Sequence, residues 1–279
     1  MIKDIVVPLA GTQADAAALA LATSLAGNHQ AVLTVLRVVT LPMPPAAPWG
    51  LAAEAGMGEL YQRMRNDAEA EAEALRSSLK TGDGALEVRV LESGLGGAGQ
   101  AALHWLHGAD LAVVGNCAGD TSEGDRTRDL VASLLLGSGR PVLVAPALTT
   151  TGSWPPRHAV VAWKPGAGAA RALHDALPLL RQATSVDLVM IDAPEGDGAP
   201  DPAMHVLQHL QRHGVAASQV MLRAGQERHS AVLLGHARTS GAGLLVAGGY
   251  GHSRLRQWAL GGMTRELLFE ADLPVLFSH

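Results

Sequence analysis

Five glycines surround a short basic segment in residues 248–262, GGYGHSRLRQWALGG, directly after the apolar run LLVA at residues 244–247. The apolar run predicts a buried strand, and glycines predict a backbone that turns sharply or comes close to another group. That group is either a phosphate or another part of this protein. The order of an apolar strand, a glycine loop and a following helix is typical of α/β folds.

The landmarks of this stretch occur twice in the chain. From Gly115 to Pro141 there are 26 residues, and from Gly248 to Pro274 there are again 26. The chain also starts twice in the same way, with an apolar strand, a turn of small residues and an Ala/Leu-rich helical pattern at residues 4–26 and 158–180. The same spacing between matching landmarks indicates an internal repeat.

The first repeat carries extra residues in its middle. The front halves are offset by about 154 residues and the back halves by 133, a difference of about 21. A proline-rich segment (residues 41–48) and a longer helix at about 58–80 account for the difference. We predict two domains, 1–147 and 157–279, joined by a linker rich in Thr, Ser and Pro.

Each repeat alternates five apolar strands with helices, which predicts an α/β fold with a five-stranded parallel, Rossmann-like sheet covered on both faces. The final strands, at 141–146 and 274–278, each begin at a proline and are natural sheet edges. Because an unpaired apolar edge is a liability, we expect these two strands to pair, relating the domains by a pseudo-twofold axis. A further homodimer is left open.

Composition excludes several classes of function. The chain has 279 residues, is 48% hydrophobic and carries a formal charge of −5, which is not the footprint of a nucleic-acid-binding protein. No run approaches the ~18 apolar residues of a membrane span, and the N-terminus is not typical of a secretory signal. One cysteine, Cys117, excludes an internal disulfide. We predict a soluble, cytoplasmic protein.

The glycine stretch has the residues of a phosphate cradle. Ligands of open parallel sheets lie beyond the carboxyl ends of the strands, where glycine N–H groups and the start of the next helix can converge on an anion. His252, Ser253 and Arg254 can add side-chain donors. The competing interpretation is a plain turn after a strand.

The pattern Gly248-x2-Gly251-x9-Gly261, followed 12 residues later by Pro274-Val275-Leu276, resembles the nucleotide signature of the universal stress protein family. The resemblance covers both repeats, so the chain resembles a tandem member of that family. It implies ATP or AMP, with Mg, bound in the second domain with the phosphates on the glycine loop. It also implies pairing of domains through their last strands, although other members bind no nucleotide.

This sequence departs from the family pattern at two positions. Gly262 stands where a Ser or Thr follows the third glycine, with Thr264 two positions on. Lys164 stands where binding members carry an Asp after the first strand, and Ala10 is its counterpart in the first repeat. A lysine reaches a phosphate rather than accepting hydrogen bonds from an adenosine.

The first repeat departs further. Ala118 lies opposite Gly251, Arg128 opposite Gly261 and Asp129 opposite Gly262, so that Gly115 alone is retained. Asp129 is expected to bring a negative charge to the start of a helix that it caps itself. We therefore expect the first domain to bind no nucleotide and to act as a structural or regulatory partner.

These observations predict a stress-response protein whose second domain binds an adenine nucleotide or a related phosphate ligand and signals through association with an unknown protein partner. The alternative is a structural or interaction protein of the same family without a nucleotide. Whether the protein is an enzyme is left open, and we expect at most slow ATP hydrolysis. The candidate binding residues are Ala162, Trp163, Lys164, Ile191, Asp192, Gly248, Gly251, His252, Ser253, Arg254, Gly261, Gly262 and Thr264.

Other clusters are weaker candidates. A predicted helix carries a stripe of three histidines, His205, His209 and His213. This spacing is known from metal sites. The alternative is an ordinary solvent-exposed helix face. No Gly-x-Ser-x-Gly or P-loop motif occurs, and Asp187 and Asp192 are expected to be exposed strand ends. Trp163 and Trp258 either stack on a base or pack in the core, and Cys117 is either an inert or a redox-responsive thiol.

Overall fold

The computed structural model describes residues 1–42, 51–79, 84–94, 97–116, 121–146, 154–192, 203–249 and 262–279, with the backbone alone for residues 51–56. Most of the glycine stretch therefore lies outside the described residues, as do Cys117, Ala118 and Trp258. The fold can be followed through every strand that the sequence predicts.

The first half of the chain alternates strands and helices from its first residues onward. The strands are continuous apolar runs such as Asp4–Leu9, in which only the first residue is exposed, as is typical of parallel strands buried on both faces. In chain order the elements are β1 (Asp4–Leu9), α1 (Asp15–His29), β2 (Val32–Thr40), α2 (Leu51–Ser78), β3 (Leu86–Ser93), α3 (Gly97–Leu106), β4 (Leu111–Gly115), α4 (Ser122–Gly137) and β5 (Val142–Ala145).

The second half repeats this order, and three of its four helices are shorter than their counterparts. Its elements are β6 (His158–Ala162), α5 (Ala167–Leu180), β7 (Ser185–Ile191), α6 (Met204–Arg212), β8 (Ala217–Leu222), α7 (His229–Thr239), β9 (Leu244–Gly248), α8 (Gly262–Glu270) and β10 (Val275–Ser278). The main difference from the sequence prediction is α2, which begins at Leu51 rather than near residue 58. The segment LAAEA at its start consists of strong helix formers that extend the helix toward the N-terminus.

All ten strands form one sheet in the order β3-β2-β1-β4-β5-β10-β9-β6-β7-β8. Read from either end, the order within a half is the same, with the third strand at the edge and the fifth at the centre. Within each half the strands pair in parallel. The α/β fold class, with its Rossmann-like parallel sheets, is therefore confirmed.

The two halves are joined by antiparallel pairing of β5 with β10, which are the two strands expected to pair. Leu143 lies opposite Leu276 at the centre of this pairing, flanked by Val144 opposite Val275. Leu143, Leu276 and the neighbouring Phe277 are completely buried. An antiparallel pair between two parallel sheets turns the second half around relative to the first, and it covers the apolar edge that each half would otherwise expose.

Helices cover the sheet on both faces and make two apolar layers. One layer contains buried residues of α1, α2, α5 and α6, such as Leu25, Ala72 and Leu173. The other contains residues of α3, α4, α7 and α8, such as Leu134 and Leu267. Each layer takes residues from both halves of the chain, so the core runs without interruption across the β5–β10 pairing.

We expect Leu143→Ala to destabilise the whole chain. The substitution removes a fully buried side chain at the centre of the β5–β10 pairing, and such cavities cost about 2–5 kcal/mol of unfolding free energy. Chemical denaturation measures this change. Leu136→Ala is the matched control, because the Leu136 side chain is 57% exposed and its loss should shift the midpoint little. Equal effects of the two substitutions would contradict a continuous core.

The buried imidazole of His29 makes stability depend on pH. His29 is 4% exposed at the end of α1, where its Nε2 lies 3.3 Å from Nε2 of Gln182 in the second half. Burial, followed by the positive charges of the N-terminal amine and Lys3, lowers the pKa of His29 below its ordinary value of 6.5. The folded chain therefore resists protonation of His29, whereas the unfolded chain accepts the proton.

Stability from His29 is present above its unfolded pKa and is lost as the pH falls through 6.5 toward the lowered folded pKa. We expect the melting temperature of the protein to fall more steeply between about pH 7 and about pH 5 than that of a His29→Gln variant. Parallel pH profiles of the two proteins would show that the buried imidazole has no part in acid sensitivity.

Candidate functional site

The carboxyl ends of β6, β7 and β9 meet at one edge of the second half. Of the residues predicted from sequence, the structure describes Ala162, Trp163, Lys164, Ile191, Asp192, Gly248, Gly262 and Thr264. Gly251, His252, Ser253, Arg254 and Gly261 lie outside the described residues. The described part of the site therefore consists of its walls and of the two helix starts that flank the glycine stretch.

Gly248 ends β9 in close contact with the start of α5. A Cβ atom at this position would lie 2.8 Å from the carbonyl carbon of Gly168 and 2.9 Å from the backbone nitrogen of Ala169. Gly115 ends β4 in the same way in the first half, where a Cβ would collide with the backbone carbonyl of Ala14, just before α1. The glycine that both repeats retain thus has a packing role.

The start of α5 is exposed, and its first turn contains no acidic residue. Gly166 occupies the N-cap position with no side-chain hydrogen bond. Lys164, two residues before Gly166, is exposed, and α8 begins at Gly262, likewise without an acidic residue in its first turn. The positive ends of two helix dipoles therefore face the same edge as a lysine.

The corresponding helix starts in the first half are occupied by the chain itself. Asp15, in the first turn of α1, accepts hydrogen bonds from the backbone N–H groups of Ala10, Gly11 and Thr12 at 3.0, 2.8 and 3.2 Å. Burial raises the pKa of Asp15, although these three N–H groups and the nearby Arg37 oppose the rise. The carboxylate takes the place that an external anion would need.

The start of α4 is neutralised in a similar way. Thr121 is its N-cap and accepts a hydrogen bond from the backbone N–H of Gly124 at 3.1 Å, and Glu123 and Asp125 lie in the first turn. The expectation that Asp129 caps this helix is wrong, because α4 starts seven residues earlier, at Ser122. A cleft of about 430 Å³ at this edge is lined by Asp15, Glu71 and Glu123 among others, with Arg37 paired to Glu71.

The carboxylate of Asp192 is bound by neighbouring residues of the second half. It follows β7 with a positive φ of 49°, and its carboxylate accepts from the backbone N–H of Ala224 at 3.2 Å and lies 3.1 Å from Nε2 of His229. The hydrogen bond to His229, followed by that to Ala224, lowers the pKa of Asp192. Asp192 is exposed, as expected, and these bonds also connect the end of β7 to the loop after β8 and to the start of α7.

The remaining predicted walls are largely apolar. Trp163 follows β6, donates its backbone N–H to the carbonyl of Val189 at 2.8 Å and packs against the apolar layer under α5. Its buried Nε1 has no hydrogen-bond partner among the described residues. Ala162 and Ile191 contact the opposite apolar layer, and Thr264 is 5% exposed in α8.

The histidine stripe of α6 is not arranged as a metal site. The ring of His209 lies 4.8 Å from that of His174 on α5 and 4.4 Å from that of His213, whereas His205 is exposed. Burial, followed by the charges of His213, His174 and Arg212, lowers the pKa of His209. Across the described part of the chain, no group of three His, Cys, Asp or Glu residues is placed to hold a metal ion.

Asp187 was expected to be an exposed strand end, and this is wrong. Its side chain is 14% exposed and lies within hydrogen-bonding distance of His158 and His236. Parallel register places His158 opposite Ser185 and Val160 opposite Asp187. Ser185 and Asp187, two polar residues at alternate positions of β7, were the signal that sequence analysis missed.

A doubled five-stranded parallel sheet with glycines at the ends of β4 and β9 defines an α/β protein of the Rossmann-like class. The model of the universal stress protein family matches residues 1–139, and the chain belongs to this family. The matched residues lie in the first repeat, whereas the sequence resemblance was carried mainly by residues 248–276.

Solved structures support the fold. A universal stress protein from Archaeoglobus fulgidus is similar over 99% of this chain and 95% of its own, at 13% identity and a TM-score of 0.63. A functionally unknown protein from Pseudomonas aeruginosa PAO1 is similar over 99% of this chain and 92% of its own, at 14% identity and a TM-score of 0.57. At these identities the similarity shows the fold alone.

A universal stress protein in complex with cAMP matches 53% of this chain and 98% of its own at 19% identity, with a TM-score of 0.33 that supports no argument about this chain. No curated protein matches the sequence. In the parts of the chain that the structure describes, no helix is long and apolar enough to span a bilayer.

We expect Gly248→Ala to destabilise the protein in the absence of any ligand. Its Cβ would meet the backbone of Gly168 and Ala169 below 3.0 Å, and overpacking of this kind costs about 1–3 kcal/mol. Denaturant titration of the ligand-free protein measures the loss. Gly262→Ala is the control, because a Cβ there meets no described atom within 4 Å, and its midpoint should not fall. If Gly248→Ala is as stable as the parent protein, the close contact is relieved at no cost.

Proposed function

We propose that residues 157–279 form a domain that binds an adenine nucleotide, ATP or AMP with Mg, or a related phosphate ligand. Residues 1–147 form a second domain of the same fold that binds none. The protein acts in the cytoplasm as a stress-response binding protein, and the bound state changes its association with a protein partner.

One observation carries this proposal, namely the different charge at the equivalent starts of α1 and α5. Lys164 precedes α5, whose first turn has no acidic residue, whereas Asp15 lies in the first turn of α1. The first turn of α8 also lacks an acidic residue and that of α4 contains Glu123 and Asp125, although α4 begins seven residues before the position that matches Gly262. These residues decide which half attracts an anion.

Each group at the second site has a defined role in this proposal. The N–H groups at the start of α8 and the glycines Gly251 and Gly261 contact phosphate oxygens, with His252, Ser253 and Arg254 as side-chain donors. Lys164 supplies a positive charge where family members that bind nucleotides carry an Asp. Trp163, Ala162 and Ile191 form the apolar wall beside the base.

The first half supports the second through packing. Arg128, which replaces the third glycine of the motif, lies over the ring of Phe269 in α8, with its guanidinium carbon 4.7 Å from the ring centroid. It also forms an ion pair with Asp125. A residue of the degenerate motif thus contacts the helix that follows the glycine stretch of the other half.

We expect at most slow hydrolysis of a bound ATP. Activation of a water molecule needs a general base within hydrogen-bonding reach. Asp192, the predicted carboxylate at this edge, is held by His229 and by the backbone N–H of Ala224. That arrangement favours a binding role.

The second candidate function is an interaction protein that binds no nucleotide. Gly248 and Gly115 favour it, because a packing contact explains why both repeats retain this glycine. Lys164 favours it too, since a lysine cannot accept the hydrogen bonds that a carboxylate accepts from an adenosine. The two candidates differ in whether a phosphate ligand binds at all.

Calorimetric titration of the purified, nucleotide-free protein with Mg-ATP tests the proposal. We expect one site per chain, lost in Gly251→Val. We expect Lys164→Glu to weaken binding about tenfold, or about 1.4 kcal/mol, because it reverses the charge beside the phosphates.

Arg157→Glu is the matched control. It makes the same charge change at an exposed position before the amino end of β6, whereas Lys164 follows the carboxyl end of the same strand. It should leave the affinity unchanged. Equal weakening by both variants would mean that the affinity depends on the net charge of the protein alone and not on the charge at Lys164. No heat at millimolar Mg-ATP or AMP, with the protein folded, would decide for the interaction protein.

A further inference from the structure

A second polar cluster lies at the amino ends of β6, β7 and β8, whereas the glycine stretch follows the carboxyl end of β9. His158 begins β6 and lies opposite Ser185, which begins β7. Asp187 lies two residues further along β7, opposite Ser218 of β8. Because alternate residues of a strand share one face, Ser185 and Asp187 point to the same side, where α7 brings His236.

Hydrogen bonds join these residues in a chain. Oγ of Ser185 lies 2.7 Å from Nδ1 of His158, and Nε2 of His158 lies 3.1 Å from Oδ2 of Asp187. Nε2 of His236 lies 2.7 Å from the same carboxylate oxygen, and the Ser218 hydroxyl donates to the other oxygen at 3.3 Å. A serine, a histidine and an aspartate are thus connected in the order that nucleophilic catalysis requires.

The carboxylate defines the tautomer of His158. An ionised Asp187 only accepts hydrogen bonds, so the Nε2 atoms of His158 and His236 each carry a proton and donate it. The other nitrogen of neutral His158, Nδ1, is then an acceptor, and the Ser185 hydroxyl donates to it. His158 is therefore oriented as a base toward Ser185.

Solvent exposure increases along this series of hydrogen bonds from Asp187 to Ser185, as a nucleophilic site needs. The side chains of Asp187, His158 and His236 are 14%, 16% and 19% exposed, whereas Ser185 is exposed. The orienting carboxylate is shielded from water, which strengthens its hydrogen bonds. The hydroxyl at the other end is open to a reagent from solution.

We propose that Ser185 is a nucleophile that takes up an acyl group from small activated esters. Oγ of Ser185 attacks the ester carbonyl, and its proton passes to Nδ1 of His158. The new Oγ–acyl bond forms as the bond to the alkoxide or phenolate leaving group breaks. The imidazolium of His158, stabilised by Asp187, then returns its proton to the leaving group or to solvent.

The local backbone restricts release of the acyl group. The N–H groups of Thr184 and Ser185 donate to the carbonyl of Arg157 at 2.8 and 3.2 Å, so they are not available to an oxyanion. Without these donors both acylation and release are slowed, so acylation needs an ester with a good leaving group. The serine ester that forms has a poor leaving group and is released more slowly still, which makes the acylated serine the observable product.

Incubation with p-nitrophenyl acetate tests this proposal. We expect release of one p-nitrophenolate per chain in a burst, with one acetyl group on Ser185 in the peptide map. Ser185→Ala should abolish both signals. His158→Gln should slow the burst about 100-fold, the contribution of a positioned general base.

Ser77→Ala is the matched control, because Ser77 is an exposed serine of α2, outside the cluster, whose hydroxyl donates to the carbonyl of Glu73. It should keep the burst, and circular dichroism should show all three variants folded. An unlabelled Ser185, an acetyl group found mainly on a lysine or on Ser218, or a burst that survives Ser185→Ala would each overturn the proposal. Omission of Mg-ATP throughout keeps the result independent of nucleotide binding.

Discussion

The antiparallel pairing of β5 with β10 is the constraint on which the structure depends. Both strands are short, fully buried and apolar, and each would be an exposed edge if its half stood alone. Their pairing joins two five-stranded parallel sheets into one sheet and merges the apolar layers on both faces. The continuity of the core across the two halves depends on this pairing.

Shared backbone with different charges is the second theme of the molecule. Gly115 and Gly248 let a strand end meet the start of a helix in the same close contact in each half. Around this common contact, Asp15 accepts hydrogen bonds from backbone N–H groups in one half, whereas the start of α5 in the other half has no side-chain cap and no acidic residue in its first turn. A duplicated fold can thus divide its tasks through a few residues at helix starts, without any change of topology.

Sequence analysis predicted the fold well because the landmarks are long-range and periodic. The 26-residue spacing from Gly115 to Pro141 and from Gly248 to Pro274 located the fourth and fifth strands of each repeat, and the apolar runs located the rest. The site was harder to predict. The close contact at Gly248, the internal anchoring of Asp192 by His229 and the cap at Thr121 depend on which backbone atoms lie beside each other, and one sequence does not contain that information. The burial of Asp187 depends in the same way on strand register and on the docking of α7.

The uninterrupted core has a consequence for how the molecule responds to heat and to ligands. Because each apolar layer contains residues of both halves, we expect the two halves to unfold together. Any compound that binds only the native state shifts the whole unfolding equilibrium by mass action. A ligand at one end of the ten-stranded sheet is therefore expected to slow proteolysis of the distant helices α2 and α3 where cleavage follows global unfolding, although no atom of the ligand comes near them.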